Sequence, residues 1–207
     1  RYRAILKHNQ AFDDRTSLRA RFHYLSDAYV LDDFFRPEFR MEPQPENYVS
    51  LTYRGDNFSA GLSARPRFND FYAAVARLPE AYIEFPVQQL FGTPLDYESS
   101  TYGASLERLR SAGSTNADYS TLRFDTRQAL SITRKVGFLT VIPRIAYRGT
   151  WYSATPDGTD SDPGGGVLRS LFEAGSQFSF KMFKVWKEAS GDSEGLRHVV
   201  EPFIDYT

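Results

Sequence analysis

The chain has 207 residues, of which 41% are hydrophobic and 15% aromatic, including 13 Tyr and 17 Phe. Its 25 basic and 26 acidic residues leave a formal net charge of -1, so it shows no basic excess of the kind a nucleic-acid surface carries. No apolar run approaches the ~20 residues that a membrane-spanning helix needs, and the absence of Cys excludes disulfides and thiolate metal sites within this stretch.

The dominant periodicity is two, the mark of strands with two unlike faces. In chain order, a first strand is expected over residues 2–12, followed by a short turn at Asp13-Asp14-Arg15. Residues 16–25 alternate clearly: Leu18, Ala20, Phe22 and Tyr24 share one face, opposite Arg19, Arg21 and His23. A long loop is expected over 26–46, then strands over 47–54 and 57–66. Between those two, Gly55-Asp56 reads as a tight hairpin turn, with Gly supplying the positive φ that such turns use. Residues 67–78 fit a loop, a short helix or a poor strand, and further strands are expected over 80–87 and 97–109. In 119–132, Leu122 and Phe124 oppose Arg123, Asp125 and Arg127.

The clearest segment is 139–151. One face carries Leu139, Val141, Pro143, Ile145, Tyr147, Gly149 and Trp151, with no charge, and the other carries Arg144 and Arg148. At about 3.3 Å per residue it spans roughly 43 Å, more than the ~9–11 residues a tilted strand needs to cross a bilayer. After a loop over 153–167, the segment 171–186 sets Phe178, Phe180 and Met182 against Gln177, Ser179 and Lys181. A loop over 187–195 leads to 197–206, where Val200, Pro202, Ile204 and Tyr206 oppose Arg197, Glu201 and Asp205. Pro86, Pro143 and Pro202 fall inside expected strands, where each removes a ladder donor.

Energy decides the facing. An Arg on the lipid side near the midplane costs about 2–4 kcal/mol, so the charged faces must look into a wet lumen, or into solvent if the protein is soluble. The expected lumen-facing set is Arg19, Arg21, Arg123, Asp125, Arg127, Arg144, Arg148, Lys181, Arg197, Glu201 and Asp205, with Tyr24, Tyr147, Trp151 and Tyr206 as membrane-interface aromatics. Alternation of short turns with long loops suits an outer-membrane barrel. The fold expectation is all-β: about ten strands of a larger antiparallel transmembrane β-barrel, incomplete at both ends. Residues 1–7 lack the apolar core of a cleavable signal, and the last residues read as a strand stopped mid-course.

Several motifs occur in the order found in one family. Ser26-Asp27 with Asp32-Asp33-Phe34, then Arg77-Leu78-Pro79, then Arg123-Phe124-Asp125 at a strand start, then the run 139–152 with Pro143 and Tyr147, then Arg197-His198 with Glu201-Pro202, together resemble the LptD family of lipopolysaccharide-assembly proteins. The resemblance implies a very large outer-membrane barrel, of which residues 1–207 are early-to-middle strands in a single domain, with a jelly-roll domain upstream and further strands downstream. It implies lipopolysaccharide transport and insertion into the outer leaflet of the bacterial outer membrane, with this segment as wall and hydrophilic lumen. The implied partners are lipopolysaccharide, outer-membrane lipids, a lipoprotein plug of the LptE type and a periplasmic LptA-type bridge. Gate residues would lie outside the segment. Inward Arg can meet phosphate or sugar-acid groups, or can pair with Asp125 or Glu201 and rigidify the wall; the rarity of unpaired interior charge favours the second.

Enzyme and cofactor readings have little to stand on. His8, His23 and His198 are scattered over separate strands without metal-ligand spacing, and the acids Glu201 and Asp205 share a face as many structural acids do. Residues 157–162 only faintly resemble a calcium loop, Gly164-Gly165-Gly166 lacks the Lys-Ser/Thr of a phosphate loop, and Lys181, Lys184 and Lys187 fit a strand end at the headgroups. The protein is expected to be no enzyme and to carry no cofactor or metal. Two other classes share the alternation: a general porin or other barrel transporter, and a soluble β-sandwich that binds carbohydrate.

An open sheet in a bilayer leaves backbone groups unsatisfied. The isolated 207-residue chain is therefore expected to aggregate or to require denaturant, as read by size-exclusion chromatography. A monodisperse soluble monomer that unfolds cooperatively would exclude the barrel.

Overall fold

The computed structural model describes residues 1–115, 117–156, 163–164, 166–186 and 196–207. Fifteen strands and two short helices form among them. In order they are β1 (Arg3–Ala11), β2 (Thr16–Leu25), α1 (Val30–Phe34), α2 (Arg36–Met41), β3 (Tyr48–Arg54), β4 (Ser59–Arg65), β5 (Ala74–Gln89) and β6 (Leu95–Leu109). There follow β7 (Tyr119–Ile132), β8 (Arg134–Val136), β9 (Leu139–Tyr152), β10 (Thr155–Pro156), β11 (Pro163–Gly164), β12 (Val167–Phe180), β13 (Met182–Trp186), β14 (Leu196–Val200) and β15 (Phe203–Tyr206).

The main sheet has the order β1-β2-β3-β4-β5-β6-β7-β9-β12-β15, with the short β8 paired to β9; β10-β11 and β13-β14 are separate two-stranded ribbons. It is an antiparallel meander whose strands follow chain order, with β8 and the two ribbons set into the connections between β7 and β15. The chain divides into two compact units: residues 1–86, 99–127 and 148–170 form the first, and residues 87–98, 128–147 and 171–207 the second.

In the first unit the register lines up rows of like side chains. Leu18, Leu51, Leu62 and Ala81 stand opposite one another across β2 to β5, as do Thr16, Tyr53, Ala60 and Ile83. On the other face Arg19, Ser50, Ser63 and Glu80 form a row, and Ser17, Thr52, Gly61 and Tyr82 the next. A one-residue slip would exchange these faces wholesale, so register and face chemistry specify each other. Gly61 makes room in its row for the Tyr82 ring, which a side chain there would push aside.

Burial is inverted relative to a soluble protein. Among the described residues the buried hydrophobic ones are four (Leu25, Val30, Leu31, Ala76), against six buried polar or charged ones (His23, Asn47, Asn69, Ser99, Asp125, Ser179). On β7, Leu122 and Phe124 are 53% and 47% exposed while Asp125 is 4% exposed. Water would reject such a surface, whereas a sheet with hydrocarbon on one side and a polar interior on the other needs it.

The expected strands are all realised, with four differences. First, residues 171–186 are not one strand: β12 ends at Phe180, Lys181 is unpaired in the ladder, and β13 begins at Met182. Second, residues 197–206 break at the same level into β14 and β15, at Glu201-Pro202. Pro202 has no N–H to donate, but its carbonyl accepts from the Phe180 amide at 3.4 Å. Pro86 and Pro143, in contrast, are accommodated inside β5 and β9. Third, the 26–46 segment holds α1 and α2, and of the ambiguous stretch 67–78 residues 74–78 join β5.

The fourth concerns Gly55, which is not among the glycines of positive φ. Its amide donates to the Phe58 carbonyl at 2.8 Å, and a Cβ there would lie 2.6 Å from the Phe58 ring. Close approach, not handedness, demands glycine. The positive-φ positions are elsewhere, at Phe91-Gly92 between β5 and β6, at Gly113 between β6 and β7 and at Gly137 between β8 and β9. The Asp13-Asp14-Arg15 turn forms as expected, with Asp13 Oδ1 accepting from the amides of Arg15 (2.7 Å) and Thr16 (2.6 Å). Those two hydrogen bonds hold the Asp13 carboxyl below the usual carboxylate range. The Arg123-Phe124-Asp125 motif lies inside β7, four residues past its start. The 157–162 stretch, Gly165 and residues 187–195 lie outside the described residues.

The facing makes a quantitative prediction. In the full-length protein folded into vesicles, Phe124→Arg should cost about 2–4 kcal/mol by denaturant titration. Ser50→Arg, on the polar face, should change stability by less than about 1 kcal/mol.

Candidate functional site

The polar face of the first unit carries a groove of about 450 Å³ whose lining includes Arg19, Glu46, Ser50, Arg65, Glu80 and Tyr82. Its floor is the row of short side chains on β3 and β4, and its walls are longer charged and aromatic groups. Tyr82 stacks on Tyr102 with ring centroids 6.0 Å apart, and the Tyr102 hydroxyl donates to Glu84. Arg65 meets Glu46 at 3.5 Å and Arg77 meets Glu80 at 3.1 Å.

Beside it lies the densest charge cluster. Asp125 Oδ2 accepts from Arg123 (3.0 Å), Arg148 (3.2 Å) and the Thr150 hydroxyl (2.6 Å). The alternation of β7 sets Arg123 and Asp125 two residues apart on one face; that of β9 does the same for Arg148 and Thr150. Neighbouring strands then bring the two pairs together. A buried carboxylate is tolerable when its lone pairs are filled in this way.

The α1–α2 segment lies on this same polar face. Arg21 forks onto Glu42 with hydrogen bonds of 2.9 and 2.6 Å, Arg3 meets Glu38 at 2.7 Å, and the Arg3 guanidinium sits 3.4 Å from the centroid of the Phe35 ring. Neither helix has a side-chain cap, and at five and six residues neither is stable alone. They hold because Val30 and Leu31 bury with Leu25 against Phe35, Phe39, Phe71 and Tyr72. The Ser26-Asp27 and Asp33 positions of the motif have local work. Ser26 exchanges hydrogen bonds of 3.0 Å with the Tyr2 backbone, and Asp27 and Asp33 bind Arg1.

Where β3 stops at Tyr48, opposite Arg21, β2 runs on with an edge that no strand covers. Two asparagines cover it. Asn47 Oδ1 accepts from the His23 amide at 2.5 Å, and Asn69 Oδ1 accepts from the Leu25 amide at 2.9 Å. Asn69 Nδ2 donates to the His23 carbonyl at 3.1 Å. Side-chain amides have the donor and acceptor pattern of a peptide, so the pair substitutes for a strand. The His23 ring, 3% exposed, is enclosed beneath the segment with neither nitrogen bonded.

In the second unit Arg144 reaches Asp205 with two hydrogen bonds of 2.9 and 2.6 Å. Lys181 and Glu201, the two residues at the paired strand breaks, lie 3.5 Å apart. Arg197 belongs to the separate β13-β14 ribbon, where its guanidinium lies 4.7 Å from the Phe183 ring centroid, and it is not on the main sheet. Arg127 lies on the same strand face as Arg123 and Asp125.

Of the expected interface aromatics, Tyr147 meets Phe172 at 4.9 Å and Tyr24 meets Tyr2 at 6.0 Å. Trp151 and Tyr206 are exposed. The alternation identified the charged faces but not Asn47, Asn69, Glu42 or Glu80. Asn47 reads as the first residue of the expected strand over 47–54, whereas β3 begins at Tyr48 and leaves Asn47 just outside it. Among the described residues no three His, Asp or Glu converge as a metal site.

An antiparallel meander with a hydrocarbon-like exposed face and a charged, hydrogen-bonded opposite face defines the β-barrel class of outer-membrane protein. Within that class the chain belongs to the LptD family, LPS transport system D, whose profile matches residues 1–207. The family acts in lipopolysaccharide transport at the outer membrane. A search of curated proteins finds no match to the chain.

The Arg21–Glu42 tether carries a pH dependence. Burial pushes the Glu42 carboxyl up, but the hydrogen bonds and charge of Arg21 outweigh it and leave it below its ordinary value of 4.5. A depressed pKa in the folded state means the tether stabilises fully above pH 4.5 and is lost as pH falls through the lower, folded value. In the full-length protein in micelles, amide exchange over residues 26–46 should rise as pH drops below 4.5, after correction for intrinsic rates. Glu42→Gln should show the raised exchange at neutral pH as well.

Proposed function

We propose that the chain forms wall and hydrophilic lumen lining of a barrel that delivers lipopolysaccharide to the outer leaflet of the outer membrane. The observation that carries this reading is the segregation of faces. A hydrated glycan needs a wet, charged path, and the face holding Arg19, Arg21, Arg123, Asp125, Arg144, Arg148 and Asp205 is suited to line one. The exposed apolar face is suited to the acyl chains of surrounding lipid.

Most of the expected lumen charges are engaged with one another: Arg123 and Arg148 on Asp125, Arg144 on Asp205, Lys181 on Glu201. They therefore stiffen the wall first and meet cargo second. Tyr24, Tyr147, Trp151 and Tyr206 serve as interfacial anchors in this reading. Arg197, on its ribbon, serves at the rim instead of the lumen. In the larger barrel, β1 and β15 pair with further strands, and the LptE-type plug and LptA-type bridge are the partners that family membership supports. No catalytic step is needed, because moving an amphiphile between two environments requires a path and no bond cleavage.

Depleting the full-length protein in its own bacterium tests this. Newly made lipopolysaccharide should stop reaching the cell surface, as read by pulse labelling and surface modification, while uptake of small hydrophilic solutes stays unchanged. Loss of solute uptake with normal surface lipopolysaccharide would instead identify a general porin.

A further inference from the structure

A second cavity on the polar face, of about 230 Å³, is lined by Arg77, Glu80, Tyr102, Arg123, Asp125 and Arg148 among others. Its charge is unbalanced: three guanidiniums face two carboxylates. Asp125 is already committed, since Oδ2 takes Arg123, Arg148 and Thr150, and Glu80 is committed to Arg77. Those contacts fix the planes of the guanidiniums and leave one positive charge in excess. Arg123 Nε is buried with no hydrogen-bond partner. An orphaned donor beside a surplus positive charge is a site prepared for an anion. A neutral sugar would gain little from three guanidiniums, and a cation would be repelled.

We propose that this cavity is a binding subsite for phosphate carried on a sugar, held by Arg77, Arg123 and Arg148. The inference rests on the proposed function and names the part of the lipopolysaccharide cargo that the wall holds in transit. Arginine suits the task because its planar fork matches two phosphate oxygens at once and never loses its charge. The site is weak by construction. Asp125 competes with the ligand for the same two guanidiniums, so a phosphate is held briefly and released onward.

The test is calorimetric titration of the full-length protein in detergent micelles with the phosphorylated oligosaccharide released from lipopolysaccharide. The same oligosaccharide after phosphatase treatment, and inorganic phosphate, are titrated in parallel. The phosphorylated form should bind about tenfold more tightly than either control. Arg77→Gln and Arg148→Gln should each weaken it by about tenfold and leave the dephosphorylated form unchanged, while Arg148→Lys, which keeps the charge but loses the planar fork, should still cost at least about threefold. Heat-shifted electrophoretic mobility reports whether each variant is folded. If Arg148→Gln does not fold, Arg77→Gln, which leaves the Asp125 cluster intact, decides the matter alone.

Equal binding of the two oligosaccharides overturns the proposal, as does inorganic phosphate binding as tightly as the sugar phosphate, or folded variants with unchanged affinity. Depletion, run alongside, separates the two levels. Loss of surface lipopolysaccharide with no phosphate selectivity removes the subsite and keeps the transport reading. Phosphate selectivity with normal surface lipopolysaccharide does the reverse.

Discussion

Hydrocarbon gives a backbone amide nothing to bond to, and it gives an arginine nothing to be solvated by. These two facts govern everything else in the chain. The first demands a continuous ladder, and the sheet meets it with an antiparallel meander in which each long strand finds its partner in the next. The second demands that charge and grease never share a face. Rows such as Leu18, Leu51, Leu62 and Ala81 on one side, and Arg19, Ser50, Ser63 and Glu80 on the other, satisfy both demands at once.

The polar face is then left with the difficulty that soluble proteins place in water: what to do with enclosed charge. Its answer is pairing across strands. Asp125 gathers Arg123, Arg148 and Thr150, and Arg144 reaches across β12 to Asp205. The α1–α2 segment obeys the same logic at the end of β2. It covers the polar side, and its attachments are ionic (Arg3–Glu38, Arg21–Glu42), with one small apolar core around Leu31 to fix its position. Where the ladder itself fails, between Tyr48 and the end of β2, the amides of Asn47 and Asn69 stand in for peptide groups. The site and the fold are built from the same hydrogen bonds, so a change to one is felt by the other.

How much of this is visible in the sequence follows from how local each signal is. Residues 16–25 and 119–132 alternate without ambiguity, and β2 and β7 have those bounds. Two-residue periodicity also marks the charged faces, so pairing of an inward Arg with Asp125 is foreseeable, but which Arg reaches it is not. That depends on which strands are neighbours and at what stagger. Helices of five and six residues have no periodicity to read, and they exist only through contacts with residues such as Phe71. Asn47 and Asn69 bond to backbone 24 and 46 residues away, and a backbone partner leaves no trace in side-chain pattern. Pro202 announced a break in its own strand. Nothing in its neighbourhood announced the matching break at Lys181, because a pairing fault is shared by two strands and written in only one.

The meander has a kinetic consequence. Each long strand of the main sheet pairs with the long strand before or after it along the chain, so no pairing has to wait for a distant segment to arrive. Entropic cost of loop closure grows with the length of chain enclosed, and here most enclosed lengths are a single turn or loop. The sheet can therefore grow from either edge one hairpin at a time, each new strand reading its register from the one already in place. Two connections enclose more: the one between β2 and β3, which carries a small core of its own, and the one between β12 and β15, which carries the β13-β14 ribbon. A strand laid down out of register would hand its fault to the next strand that pairs with it, exchanging the two faces there as well.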